Sequence, residues 1–298
     1  MVIKRTVGER IFNVFNILFM IFLVVITLYP LWYIFIASIS NPISVARGIV
    51  TVIPDNLELL AYRTVLGQTQ TWQGQEIFVI WNAYGNTVFY AVIGTLVNMF
   101  LTILLAYPLS KARLRGRKGL MLFVLFTMWF SAGMVPTYFN FQRLGLLDSR
   151  LGILLCFAVS TFYMILMRTF FENVPQEMEE SAVIDGANDF RILTNIYLPL
   201  STSAIATLTM FYFVDRWNAF FWSLLLLRDP TKVPLQVVLR RLIVEASYSF
   251  EHFDVVANIS EQTLIYATII IAVIPMLVLY PFVQKFFVTG IMMGAVKG

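Results

Sequence analysis

Few residues in this chain have the means to do chemistry. Its one histidine, His252, and its one cysteine, Cys156, lack ligand-spaced companions, so no metal site and no intrachain disulfide follows from them. No G-x-x-x-x-G-K-[ST] run is present to cradle a nucleotide's phosphates, and no H-E-x-x-H or G-x-S-x-G arrangement supplies a metal-bound water or an activated serine. Enzyme chemistry is therefore not expected. Neither is a cofactor or a metal, and any ATP hydrolysis has to come from another chain. Two groups of charges remain: an acidic stretch over residues 172–199, and the adjacent pair Asp215-Arg216 inside an apolar run.

The acidic stretch reads as two short helices meeting at an angle. Pro175 suits the first position of a helix, where its missing N–H costs nothing, and Glu177, Glu179 and Glu180 fall in the early turns, where the helix dipole favours negative charge. Gly186 offers the positive φ that closes a helix. Asn188 or Asp189 then caps a second helix through Phe190, Ile192, Leu193 and Ile196, which Pro199 is expected to interrupt. Glu180 is either a docking charge for a partner or a solvated glutamate of a helix N-terminus.

Asp215 and Arg216 are followed by Trp217, Asn218, Phe220, Phe221 and Trp222. A charge within a membrane is unfavourable by several kcal/mol unless it faces a bundle interior or a water-filled cavity, which makes both residues candidates for a pathway or gate. Neighbouring helix positions point about 100° apart, so the two charges do not share a face and need separate partners. Trp and Phe faces beside hydrogen-bonding groups suit sugar rings, but tryptophan is also an ordinary residue of the membrane interface. A solute pathway and a structural pair within the bundle both fit.

The elements that position these residues are apolar. Of 298 residues, 59% are hydrophobic and 13% charged, with a mean hydropathy of +0.79, against about 45–50% and about 25% in a soluble domain. The chain is read as an all-α integral membrane protein with one transmembrane domain over residues 1–298. Spans are expected at about residues 11–38, 84–110, 120–137, 151–171, 200–227 and 263–284, six in all. The first is too long for a signal-peptide core of roughly 7–15 residues. Lys4, Arg5 and Arg10 precede it, and Lys111, Arg113, Arg115, Arg117 and Lys118 follow the second, whereas the loop between them carries only Arg47 and Arg63. Both termini and the acidic loop are therefore expected on the cytoplasmic side; acidic residues count little in this rule. The net charge of +4 comes from basic residues dispersed in short loops, so no nucleic-acid partner is expected. A segment over 235–246 is amphipathic and is expected as a short helix on the outer surface.

Glu180, Ser181, Ala182, Gly186, Ile196, Leu198 and Pro199 fit the pattern E-A-A, three residues, G, nine residues, I-x-L-P, with Ser181 in place of the first alanine. That pattern resembles the coupling loop of permease subunits in binding-protein-dependent ABC importers. Serine is nearly as small as alanine, so close helix approach survives the change. Further stretches are similar to maltose-type carbohydrate permeases: Gly85-Asn86-Thr87, Ala106-Tyr107-Pro108-Leu109-Ser110, Trp217-Asn218-x-Phe220 with Leu224-Leu225, and the tail Gly290-x-x-x-Gly294-Ala295-Val296-Lys297-Gly298. Phe130-Ser131-x-Gly133-Met134-Val135-Pro136 resembles the branch that handles complex oligosaccharides.

The resemblance implies a type I importer permease fold with six spans in the cytoplasmic membrane of a bacterium or archaeon. It also implies a second permease chain, two ATP-binding subunits, an extracytoplasmic solute-binding protein and an oligosaccharide as solute. It assigns Glu180, Ser181, Ala182, Gly186, Ile196, Leu198 and Pro199 to ATPase coupling, with Glu180 meeting a basic residue of the ATPase, and brings the tail near the ATPase pair. Asp215, Arg216, Trp217, Asn218 and Trp222 stand as pathway candidates from the membrane-charge argument alone. A permease for another solute class shares the coupling loop but not the sugar-type motifs. A secondary carrier is expected to show internal repeats and an intramembrane ion site, neither of which is evident. A passive scaffold need not bear the cost of Asp215 and Arg216.

Overall fold

The computed structural model describes residues 7–130, 132–249 and 262–278. Residues 1–6, which include Lys4 and Arg5, Ser131, His252 and the glycine-bearing tail with Lys297 lie outside the described residues, as does the 279–284 end of the last expected span. The chain divides into two units, Met1–Gln68 with Leu239–Pro275, and Thr69–Val238 with Met276–Gly298.

In the first unit, α1 (Val7–Ser38) is apolar on every side, and most of its large side chains from Ile11 to Phe35 are exposed. A helix hydrophobic all round has no water-facing side, so its surface calls for lipid or a protein neighbour. Asn41 caps α2 (Pro42–Ala46) by accepting from the Ile43 amide at 2.9 Å, with proline in the first turn, and α3 (Leu60–Gly67) follows. Ala37, Val45 and Val50 form a small core with Tyr33 and Tyr266, the latter on the helix Gln262–Val278; the two tyrosine rings meet edge-on at 6.0 Å.

The second unit opens with an antiparallel hairpin of β1 (Thr69–Trp72) and β2 (Gln75–Phe78), with Thr69 opposite Phe78. Gln73 (φ 48°) and Gly74 (φ 81°) make its two-residue turn, and two positive φ values match the twist of the flanking strands. The long helix α4 (Val79–Ser110) starts directly after the hairpin, five residues before the expected start of the second span at 84. At 1.5 Å per residue its 32 residues run about 48 Å, more than a hydrocarbon core of about 30 Å requires. After it come α5 (Arg117–Trp129), α6 (Met134–Arg143), α7 (Arg150–Leu155), α8 (Thr161–Glu172), α9 (Gln176–Ile184), α10 (Asp189–Leu200), α11 (Thr202–Asn218), α12 (Phe221–Leu226) and, past a 3-10 turn at Pro230–Lys232, α13 (Leu235–Ser249), whose residues from Leu239 on belong to the first unit.

Three apolar runs read from sequence as single spans are broken. The 120–137 run stops at Trp129 and restarts at Met134, 114° away, after Gly133 adopts φ 84°. The 151–171 run is interrupted between Leu155 and Thr161, where Phe157 takes φ 50° and Ser160 caps α8 by accepting from the Tyr163 amide. The 200–227 run breaks at Ala219 and Phe220; Asn218 turns its amide back onto the Val214 carbonyl at 3.0 Å, a local bond that competes with the helix. Among the described residues two helices are long and apolar enough to cross a membrane unaided, Ile11–Ser38 and Val79–Ser110, or four counting two bent pairs.

One core of this unit joins Met99, Tyr107 and Leu109 of α4, Met164, Met167 and Phe171 of α8, Ile192 and Tyr197 of α10, and Leu208 and Tyr212 of α11. At the other end of α4, Asn82, Asn86 and Tyr90, spaced one helical turn apart, donate to carbonyls of the 230–233 turn at 2.7–3.2 Å.

Candidate functional site

The acidic loop folds as the two expected helices, and its sequence shows why. Pro175 precedes α9, and Glu177 and Glu179 occupy the first turn. Gly186 adopts φ 78°; its amide bonds the Val183 carbonyl at 3.0 Å and the Ala187 amide reaches back to Ala182 at 2.9 Å. Those two bonds close a helix in the Schellman manner, and the small Ala182 and Ala187 meet the same core. Asn188, not Asp189, caps α10, accepting from the Arg191 amide at 2.9 Å. The expectation that Pro199 interrupts this helix is corrected. The backbone widens into π turns over Leu193–Tyr197, which makes room for the proline ring, and the helix continues to Leu200. The bend comes at Ser201, where α11 departs at 83°.

The acidic residues then divide into two groups. Glu172, Glu179 and Asp189 are spent inside the chain on the basic loop that follows α4. Lys111, only 7% exposed, places Nζ 2.8 Å from Glu179 Oε2, and Tyr197 donates its hydroxyl to the same oxygen at 2.6 Å. The ammonium also lies over the Tyr197 ring at 3.6 Å and the Tyr107 ring at 4.3 Å. Arg113 pairs with Asp189 and lies 3.6 Å from Glu179. Arg117 and Arg168 share Glu172, and both donate Nε to the Leu109 carbonyl near the end of α4, at 2.9 and 3.0 Å. Burial pushes the Glu179 carboxyl up, but Lys111, Tyr197 and Arg113 outweigh it and hold the group below the usual carboxylate value. Burial and then the Glu179 carboxylate push the Tyr197 phenol well above its ordinary value, so it stays a donor.

Glu177, Glu180 and Asp185 are exposed and have no ion pair among the described residues. Ile184 is 85% and Phe190 71% exposed on the same loop. Of the other coupling candidates, Ser181 bonds the Glu177 carbonyl at 2.8 Å, Ile196 and Leu198 pack on the core, and Pro199 is exposed. Sequence reasoning missed Lys111, Glu179 and Tyr197 as a unit. It also missed Ile184 and Phe190, whose signal was two large apolar residues in a polar loop.

Of the pathway candidates, the structure brings Asp215, Arg216 and Trp222 to one cavity of about 450 Å³, shared with Asn98, Cys156, Phe157 and Ser160. Asp215 accepts from the Tyr163 hydroxyl at 3.0 Å, and Phe157 and Phe221 flank the Trp222 ring, each at 5.6 Å. Arg216 donates to the carbonyls of Ile153 (2.7 Å) and Leu154 (2.9 Å) and to Asn98 Oδ1 (2.8 Å). Gly94 makes that possible, because a Cβ there would stand 2.9 Å from the Arg216 Nε. Trp217 does not reach this cavity: it is buried between Phe213, stacked at 6.1 Å, and Tyr84, edge-on at 6.2 Å. Asn218 is exposed and satisfied within its own helix.

Residues 119–292 match the family described as binding-protein-dependent transport system inner membrane component. The chain is 39% identical over 292 residues to the polygalacturonan/rhamnogalacturonan transport system permease protein YtcP of Bacillus subtilis strain 168, covering 97% of this chain and 99% of that protein. It is also 39% identical to Protein LplC of the same organism, over 98% of this chain and 97% of that one. In structure it is similar to a chain of a bacterial ABC transporter involved in the import of the acidic polysaccharide alginate, with a TM-score of 0.85 at 39% identity over 95% of this chain and 99% of that chain.

Proposed function

The chain belongs to the family of binding-protein-dependent transport system inner membrane components, and on that premise we propose that it is a permease subunit of an ATP-driven importer of oligosaccharides. All its residues form one permease domain, and each broken apolar run crosses the membrane once, giving six crossings with both termini in the cytoplasm of a bacterium or archaeon. It works beside a second permease chain, two ATP-binding subunits and an extracytoplasmic binding protein. The names of its relatives point to fragments of acidic polysaccharides as the solute.

The observation that carries this reading is the division of charge in the acidic loop. One set of carboxylates anchors α9 and α10 to the basic loop after α4. Glu177, Glu180 and Asp185 stay exposed with Ile184 and Phe190, and Glu180 and Ile184 line an open groove of about 730 Å³ beside Lys111, Arg113 and Arg117. A loop fixed to the spans on one side and bare on the other is suited to take a push from a partner and deliver it. Glu180, Ile184 and Phe190 meet the ATPase; Gly186 and Ala182 keep the two helices at a fixed angle; Ile196, Leu198 and Pro199 carry the displacement into α11. Asp215 and Trp222 face the solute, Asp215 accepting from sugar hydroxyls and Trp222 covering a ring face, while Arg216 is occupied by protein acceptors.

The test is a pull-down of the tagged chain from its native membrane in mild detergent. Recovery of a Walker-motif ATPase, a second permease and a secreted binding protein is expected. Repeated recovery of the chain alone, in an active form, would overturn the reading.

A further inference from the structure

The break between α7 and α8 has no obvious sequence cause: residues 156–160 contain neither proline nor glycine. What holds it lies on another helix. The last turn of α7 leaves the carbonyls of Ile153 and Leu154 without helical donors, and Arg216 supplies both. On the far side of the break, the Ser160 amide donates to the Tyr212 hydroxyl at 3.0 Å, and that hydroxyl is itself bonded to Thr102 at 2.7 Å. Tyr212 and Arg216 are four residues apart, hence one turn apart on one face of α11. Between their two anchor points stand Cys156, Phe157 and Val159, which line the 450 Å³ cavity.

We propose that Tyr212 and Arg216 are a double tether by which α11 carries the unwound 156–160 segment. When α11 moves, the segment moves with it and reshapes the cavity wall; Tyr212 and Arg216, which themselves line that cavity, act here as positioning residues through these bonds. Resting on the reading that this cavity belongs to the solute pathway, the tether links the acidic loop, which feeds into α11 at Ser201, to the surface the solute meets. Its geometry, two independent attachments flanking one break, is more than closing the break requires. Ser160 and Tyr163 already cap α8 without it.

Cys156, the chain's one cysteine, is 5% exposed in this segment and is a built-in reporter. The experiment measures its alkylation by a small maleimide in the assembled importer, with and without a non-hydrolysable ATP analogue. The unmodified complex is expected to change its labelling rate when the analogue binds. Tyr212→Phe keeps the ring but loses the hydroxyl. It is expected to shrink that response and to raise ATP hydrolysed per solute imported about fivefold, the factor that one net hydrogen bond is worth. Arg216→Met should abolish the response, and Arg216→Lys should restore part of it. A merely loosened fold would label faster yet keep its response to nucleotide. If Tyr212→Phe and Arg216→Lys assemble and respond to the analogue as the unmodified complex does, the tether is wrong. Oligogalacturonides, added to the unmodified complex, separately test the cavity's role: failure to slow Cys156 labelling removes the pathway reading and leaves the tether standing.

Discussion

Two cations of the second unit are withdrawn from water, and they are held in opposite ways. Lys111 is neutralised by a carboxylate and sandwiched by two tyrosine faces. Arg216 has no ion pair among the described residues and is satisfied by two backbone carbonyls and an asparagine oxygen. The difference follows from location. Beyond the end of α4, a basic loop is joined to a separate acidic one, and opposite charges do that across 68 positions of sequence. Within the bundle the acceptors already exist as orphaned helix carbonyls, and a planar guanidinium reaches several at once. Lys111 joins two elements by charge, whereas Arg216 completes a broken one by hydrogen bonds.

The contrast is broken most forcefully at Lys111. Lys111→Met leaves Glu179, itself 17% exposed, with only the exposed Arg113 at 3.6 Å, and should cost about 3 kcal/mol of stability in detergent. Replacing both partners by apolar residues, as in Lys111→Met with Glu179→Leu, should recover most of that loss, because the pair's desolvation penalty goes with it. No recovery in a thermal-denaturation series would mean that the cluster's worth is not in the charge pair.

Charge dependence also predicts an acid limb. The Glu179 carboxyl lies below its ordinary 4.5 when folded, so its contribution is complete above that value and is lost as pH falls through the lower, folded one. Denaturation curves between neutral and about pH 3 should show this loss in the unmodified complex, and Glu179→Gln should reduce it. Arg216 and its neutral partners add no such limb.

Charge that faces outward should matter to assembly and not to folding. Glu180→Lys should weaken ATPase association about tenfold, read by co-purification over a dilution series, with thermal stability unchanged, since rim charges of interfaces act on association. Unchanged association would remove Glu180 from the docking face. The smallest effect is expected at the exposed Arg113–Asp189 pair, 55% and 63% exposed, where Asp189→Asn should change stability by less than about 1 kcal/mol.

Much of the acidic loop was legible in sequence because its signals are local. Pro175, Gly186 and Asn188 each act within a few residues, and the structure places two helices and a positive φ where they indicated. The use of its charges was not legible. Lys111, Arg113 and Arg117 read as markers of topology and Glu179 as one acid among several; only the fold brings them together. Pro199 misled because a π-widened turn relieves the clash that the residue alone implies. The broken spans were hidden for a related reason. An apolar run reports that a segment avoids water, not that its backbone is continuous, and the break at Phe157 is sustained by Tyr212 and Arg216, more than 50 residues away. Of the pathway candidates, Asp215 and Arg216 line one cavity, whereas the helix turns Trp217, their neighbour in sequence, toward Phe213 and Tyr84.

The claim on which the rest depends is that the acidic loop works as one rigid lever between ATPase and spans. It is tested most directly by ATP-driven oligosaccharide uptake into proteoliposomes of the complete complex, comparing the unmodified chain with Gly186→Pro. At φ 78° proline cannot be accommodated, so the angle between α9 and α10 is lost while the spans are untouched. The account predicts a variant that inserts and assembles but accumulates no solute. Uptake at the unmodified rate would contradict it.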